Sequence, residues 1–197
     1  VPIIQRRLIT LCRKTHKPVI VATQMLESMV KSPVPTRAEV TDVANAVYEG
    51  VDAVMLSAES ASGDFPVEAV LTMRNVIANV ERDPIYRDLS SRYQSAIPTS
   101  ERDAFLSATR QIAESTGSKA IIVYSASGAT ALSAAGSRPH VPVIVLTPQV
   151  KTARQLNLLW GLYPIVSEDV TNFREIVTHA CDCILEYGLA ALHDSVV

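Results

Sequence analysis

Between Pro18 and Pro66 the chain reads PVIVATQMLESMVKSPVPTRAEVTDVANAVYEGVDAVMLSAESASGDFP, and this stretch leaves few folds open. Two short apolar runs, Val19 to Ala22 and Ala53 to Leu56, are bounded by Pro, Thr, Asp and Ser, as strands buried in a parallel sheet are. Between them lies a helix with its own start and stop. Thr36 and Glu39 stand at capping-box spacing, in which the Thr oxygen accepts from the backbone three residues on and the Glu reaches back. Val40, Val43, Ala44 and Val47 recur at helical spacing, and Gly50 supplies a left-handed stop. A second helix opens at Pro66, with Val67, Val70, Leu71, Ile77 and Val80 expected to face inward. The order strand, helix, strand, helix makes the two strands parallel, because such crossovers are right-handed. Each run ends in a hydroxyl, Thr23 and Ser57, so both emerge at the C-terminal edge of a sheet or barrel, where α/β folds carry their chemistry.

The rest of the chain keeps the same alternation. Residues 1 to about 16 read as a helix with Ile4, Leu8, Leu11 and Cys12 on one face. From Arg82 to about Thr99 the pattern breaks into RDPIYRDLSSRYQSAIPT, the composition of a linker or short irregular connection. Ser100 and Asp103 then cap a helix running to about Thr116 and stopped by Gly117. AIIVY (Ala120 to Tyr124), PVIVL (Pro142 to Leu146) and YPIV (Tyr163 to Val166) are strand runs. Helical segments separate and follow them, at about Ala129 to Ser137, Lys151 to Leu159, and Asn172 to Tyr187 with Gly188 as its stop. This is a second α/β unit with a parallel sheet. Asp194 to Val197 reads as the opening of a further strand cut short, which predicts a hydrophobic groove with unpaired backbone groups.

Composition excludes several function classes. Apolar residues make up 48% of the 197, enough for a core, yet no run approaches the roughly 20 needed to span a bilayer. The net charge is −2 with both signs interspersed, which argues against nucleic acid or an anionic membrane as partner. Cys12, Cys181 and Cys183 form no CxxC pair, as expected of a reduced cytoplasmic protein, and the last two diverge around a helix. His16, His140, His179 and His193 show no ligand spacing, so no metal site is expected from them.

Several residues have two readings on sequence alone. Thr23 at a strand end can donate to a carboxylate or phosphate, or it can cap the strand. Ser57, with Glu59 and Ser60 beside it, can relay a proton, but no His is near to make it a nucleophile. Ser125-Ala126-Ser127-Gly128-Ala129-Thr130 follows a strand and opens a helix, which suits an anion and suits a simple helix cap equally. Glu27 and Asp42 fit supporting groups at the strand edge or solvated helix positions, and Trp160 fits a core or interface anchor.

Three segments carry a family resemblance: ATQMLESM (Ala22 to Met29), PTRAEVTDVANAV (Pro35 to Val47) and VMLSAESASGDFP (Val54 to Pro66). Their order and spacing resemble pyruvate kinase. The resemblance implies that residues 1–83 are the end of a catalytic (β/α)8 TIM barrel, 84–99 a linker, and 100–197 the C-terminal regulatory α/β domain with a mainly parallel sheet. Two βα repeats cannot close a barrel of eight, so the chain is expected to be a piece of a longer polypeptide. The implied reaction moves a phosphoryl group from phosphoenolpyruvate to ADP, giving pyruvate and ATP in glycolysis, in a cytoplasmic homotetramer. The implied cofactors are Mg2+ and K+. Their ligands and the catalytic Lys are expected before Val1, so this chain alone is expected to be inactive.

By the same resemblance Thr23 contacts the substrate carboxylate, and Ser57 sits in the pocket on the proton path to the enolate. Arg37, in the first turn of a helix, reaches toward a neighbouring subunit. Ser125, Ser127, Gly128 and Thr130 correspond to the loop that holds a phosphate of an allosteric activator. Departures are visible: Ala58 and Ser60 stand where the family usually has Gly and Thr. Ala126 and Ala129 stand where sugar-bisphosphate-regulated members are basic, and Pro148 where Arg is common. Losing those charge-assisted contacts weakens phosphate binding, so either a different effector binds or the loop is structural. Two other function classes remain, a non-catalytic effector-binding module and an oligomer-assembly piece.

Overall fold

The computed structural model describes residues 2–22, 24–93, 100–169 and 172–197, which divide between 95 and 96 into two compact units. The first holds α1 (Pro2–Lys14), β1 (Ile20–Ala22), a 3-10 helix (Glu27–Val30), α2 (Arg37–Glu49), β2 (Ala53–Met55), α3 (Ala58–Ala61), α4 (Pro66–Arg82) and α5 (Pro84–Tyr93). β1 and β2 pair in parallel, with Ile20 beside Ala53, Val21 beside Val54 and Ala22 beside Met55. Asp52 sets this register, since the Val19 N–H donates to its Oδ2 at 2.9 Å and its own N–H donates to the Val19 carbonyl at 3.0 Å.

Local chemistry fixes α2 as its sequence predicts. Thr36 Oγ1 accepts from the Glu39 N–H at 3.3 Å, and Glu39 Oε2 accepts from the Thr36 N–H at 2.8 Å. The helix stops at Gly50, whose φ of 84° is open to glycine and costly for other residues. Val21 and Val54 pack under the helices, against a core of Met25, Leu26, Met29, Val43, Ala69 and Met73 and a smaller one of Ile9, Ala46 and Val51. Their neighbours Ile20 and Met55 are exposed, so these strands are covered on one face rather than two. In a closed barrel that second face is the interior, which takes side chains from all eight strands.

Two helices turn faces other than those expected. In α1 only Ile9 is buried, while Ile4, Leu8 and Leu11 are exposed. In α4 the inward stripe is Ala69, Met73 and Val80, flanked by Val76 and Ile77, and Val67, Val70 and Leu71 lie outside. Both helices carry apolar residues on two sides, and amphipathic spacing does not decide which side meets the sheet. Residues 84–93 also differ from an irregular connection. Pro84 takes the first position of α5, where its missing N–H costs nothing, and Asp83 Oδ1 accepts from the Ile85 N–H at 3.0 Å. The Tyr48 hydroxyl donates to the Asp83 carboxylate and Tyr86 packs on the Tyr48 ring, which ties α5 to α2. That hydrogen bond holds Asp83 below the usual carboxylate range and pushes the Tyr48 phenol up.

The second unit is a parallel sheet in the order β3 (Ile121–Tyr124), β4 (Val143–Thr147), β5 (Leu162–Val166), with α6 (Glu101–Thr116), α7 (Ala129–Gly136), α8 (Val150–Leu156) and α9 (Phe173–Glu186). Ser100 caps α6 by accepting from the Asp103 N–H at 3.2 Å, and Gly117 ends it at φ 66°. Every residue of β4 is buried. Val143 and Val145 join Leu106, Ala113, Ala131 and Leu156 on one face, while Ile144 and Leu146 join Ala180, Cys183 and Ile184 of α9 on the other. The final residues pair with the edge of β3. Lys119 N–H donates to the Ser195 carbonyl at 2.8 Å, Val197 N–H to Ala120 at 3.1 Å and Ile122 N–H to Val197 at 2.6 Å, so residues 195–197 extend the sheet beyond β3. Arg138, 2% exposed, stacks its guanidinium 4.8 Å above the Trp160 ring, which makes Trp160 a packing anchor of this unit. Among the described residues no helix is long and apolar enough to cross a membrane.

Candidate functional site

The C-terminal ends of β1 and β2 lead into two loops joined by one carboxylate. Glu59, in the first turn of α3, is 3% exposed. Its Oε2 accepts from the Ser57 N–H at 2.7 Å and its Oε1 from the Leu26 N–H at 3.2 Å. The first bond is local; the second spans 33 residues and pins the loop after β1 to the loop after β2. The loops touch again further on, where the Asp64 N–H donates to the Val30 carbonyl at 2.9 Å. Gly63 permits that approach, since a Cβ there would lie 2.7 Å from the Glu59 carbonyl and 3.2 Å from Val30 Cα. An exposed Lys31 to Asp64 pair at 3.3 Å closes the junction and adds little in water.

A second carboxylate organises the far side of the first loop. Glu39 accepts from the N–H groups of Ser28 at 2.7 Å and Thr36 at 2.8 Å, and from both hydroxyls. The capping box thus reaches beyond its own helix to the 3-10 helix. Partial burial acts to raise the Glu39 carboxyl, but the hydrogen bonds from Ser28 and Thr36 outweigh it and bring the group from 4.5 down to about 2.

Ser57 occupies the N-cap position of α3, half-buried, with φ −116° and ψ −106°. Its hydroxyl makes no capping bond, and its carbonyl accepts from the Ala61 N–H at 3.0 Å. Glu59 is therefore bonded to the Ser57 backbone. Thr23 lies outside the described residues. Gln24, the residue after it, has φ 54°, a strained value for a side chain of this kind. It opens on a groove of about 960 Å³ between α1 and α2 that Arg6, Asp42 and Asn45 also line. Glu27 and Arg37 are exposed.

The loop after β3 is held differently. Ser125, 6% exposed, accepts from the Gly128 N–H at 3.0 Å, and Ser127 Oγ accepts from the Ala129 N–H at 3.4 Å. Gly128 caps α7 at φ 81°, where a Cβ would lie 3.1 Å from Thr152 Cγ2. Thr152 in turn donates to the Ala126 carbonyl at 3.1 Å. Two hydroxyls of the candidate phosphate loop are thus engaged in its own turn, while Ser127 is exposed and Thr130 half-buried. β4 and β5 also end in buried hydroxyl residues that sequence reading passed over, Thr147 and Ser167, joined by a Ser167 N–H to Thr147 carbonyl bond at 3.0 Å.

Among the described residues no three His, Cys, Asp or Glu side chains gather where they could hold a metal ion. Burial pushes the Cys183 thiol up, with Glu186 and Asp182 adding to it, while Cys181 is exposed.

Two parallel βα units with hydroxyl and carboxylate groups at their C-terminal ends, followed by a three-stranded parallel sheet with helices on both faces, define an α/β protein of two units. The comparisons narrow this. Residues 1–70 match the family model described as pyruvate kinase, barrel domain, and residues 103–197 match pyruvate kinase, alpha/beta domain. Over all 197 residues the chain is 47% identical to a pyruvate kinase of Methylorubrum extorquens, covering 41% of it, and 42% identical to one of Staphylococcus haemolyticus, covering 34%. A crystal structure of a pyruvate kinase from Cryptosporidium parvum superposes with a TM-score of 0.92 at 36% identity, over 98% of this chain and 40% of that one. The chain belongs to the pyruvate kinase family, with part of the barrel followed by the α/β domain. It spans about two fifths of the length of its relatives in Methylorubrum extorquens and Agrobacterium vitis.

Proposed function

We propose that the full-length protein carrying this chain is a cytoplasmic pyruvate kinase of glycolysis. It transfers the phosphoryl group of phosphoenolpyruvate to ADP, and the enolate left behind takes a proton at its methylene carbon to give pyruvate. The observation that carries this reading is the match of both family models, in order, over 1–70 and 103–197. In this reading the Thr23 hydroxyl donates to the substrate carboxylate and Ser57 lies on the proton path to the enolate. Mg2+ and K+ would supply positive charge around the moving phosphoryl group, held, like the catalytic Lys, by the part of the protein outside this chain. The 197-residue chain alone is then inactive, and Arg37 serves subunit contact in a homotetramer.

The test is pyruvate formation by the full-length protein from phosphoenolpyruvate and ADP, coupled to lactate dehydrogenase. Turnover that needs Mg2+ supports the reading, as does a loss of at least tenfold in Ser57→Ala, the scale of a general acid–base contribution. Absent turnover with both substrates saturating contradicts it.

An effector role for the second unit is favoured by one observation: Gly128 opens α7 in a left-handed turn with Ser127 exposed beside it. Ser125, Ser127, Gly128 and Thr130 are the proposed phosphate contacts. Because no cationic side chain lies within residues 125–130, binding rests on neutral donors and is weaker than in an Arg-lined site. A melting shift with sugar phosphates or nucleoside monophosphates that disappears in Gly128→Val supports this role; no shift with either class contradicts it.

A further inference from the structure

Among the described residues Glu59 is the only buried carboxylate, and both its oxygens are turned to backbone N–H groups. Burying an ionised carboxylate is costly unless it is fully hydrogen-bonded, so a chain that places one here gains something a neutral residue does not supply. Its acceptors are two, its donors none, and the N–H groups it takes belong to the two loops that leave β1 and β2. A hydrophobic residue in its place leaves the buried Leu26 amide and the half-buried Ser57 amide without partners. A Gln in its place turns an NH2 group against one of them.

We propose that Glu59 is a positioning residue, a buried anionic clasp that holds the loop of Gln24 to Leu26 and the loop of Ser57 in one fixed relation. The inference rests on the pyruvate kinase reading given above. Ser57 is then aimed by its own N–H, bonded two residues ahead at 2.7 Å, and the loop after β1 is aimed by Leu26 at 3.2 Å. The Asp64 to Val30 backbone bond and the close approach at Gly63 complete the clasp, so the loops move together or not at all. Loosening it displaces the Ser57 hydroxyl relative to the loop that follows Thr23. A displacement of about 1 Å at such a site costs on the order of 100-fold in rate.

The experiment compares wild-type, Glu59→Gln and Ile9→Ala forms of the full-length protein. Ile9 is buried in the same unit, in the smaller core with Ala46 and Val51 and outside the cluster of Met25 and Leu26, so it reports lost stability apart from the clasp. For Glu59→Gln, kcat is expected to fall by about 10 to 100-fold and KM for phosphoenolpyruvate to rise, with KM for ADP unchanged. Ile9→Ala should lower the melting temperature while leaving kcat and both KM values within about twofold. If Glu59→Gln fails to fold, Gly63→Ala strains the same clasp from its other side and should give the same split between the two KM values. An active wild type with Glu59→Gln or Gly63→Ala matching Ile9→Ala overturns the inference alone. An inactive wild type overturns the function reading, and this inference with it.

Discussion

Two loop systems at strand C-termini are built from similar residues and held by different means. After β1 and β2, a buried carboxylate gathers amides from two loops that are 33 residues apart in sequence. After β3, Ser125 and Ser127 take amides from their own turn, two or three residues away. The first arrangement is a long-range junction whose loss affects both loops. The second is a set of short-range neutral bonds, any one of which can be lost with little consequence for the rest. Charge-assisted bonds to buried amides are roughly twice as strong as neutral ones, so the contrast is one of energy as well as of reach.

The sharpest way to break this comparison is to remove the carboxylate altogether. Glu59→Ala leaves the buried Leu26 amide and the half-buried Ser57 amide unpaired and is expected to cost about 3 kcal/mol, whereas Ser125→Ala, which frees one amide, should cost about 1 kcal/mol. Urea unfolding followed by a probe in each unit reads both values, and equal losses would erase the distinction. Gly63→Ala comes next. Its new methyl meets backbone rather than a movable side chain, so a destabilisation of about 1 to 3 kcal/mol is expected in the first unit and none in the second.

Glu39 sharpens the comparison through pH. Its folded-state value of about 2 lies below the ordinary 4.5, so its stabilising contribution is complete above pH 4.5 and is lost as pH falls toward about 2. Glu39→Gln should therefore flatten the acid limb of the stability profile in that window and leave its slope above pH 5 unchanged; an unchanged acid limb would contradict the bonding around Glu39. The smallest effect concerns the cysteines of α9. A thiol reagent at neutral pH should label exposed Cys181 readily and buried Cys183 only on unfolding, as mass spectrometry of the native protein would show.

Which of these features are legible in the sequence follows from how far each interaction reaches. The α2 cap at Thr36 and Glu39, its stop at Gly50, and the cap and stop of α6 at Ser100 and Gly117 are set by residues within four positions of each other, and each appears where the sequence predicts it. The strands and their parallel pairing follow from the crossover rule. The inward faces of α1 and α4 were not legible, because Leu8 and Ile9, or Val70 and Met73, are equally apolar and only the sheet beneath selects between them. In α5 the start signal was present in Asp83-Pro84, but the charged composition around it resembles a linker. The resemblance drew attention to the Ser57 hydroxyl, and Glu59 beside it reads as its proton partner. What the sequence cannot display is that the second oxygen of Glu59 is committed to Leu26, since nothing local marks a bond across the 3-10 helix, α2 and β2.

Amide hydrogen exchange at Leu26 and Ser57 addresses the central claim most directly, in wild-type and Glu59→Ala forms of the full-length protein, with the helical amides of α2 as internal reference. A single clasp predicts strong protection of both amides in the wild type and joint loss of that protection in the variant, while α2 stays protected. Free exchange of either amide in the wild type would contradict it, as would loss at Ser57 with Leu26 unchanged.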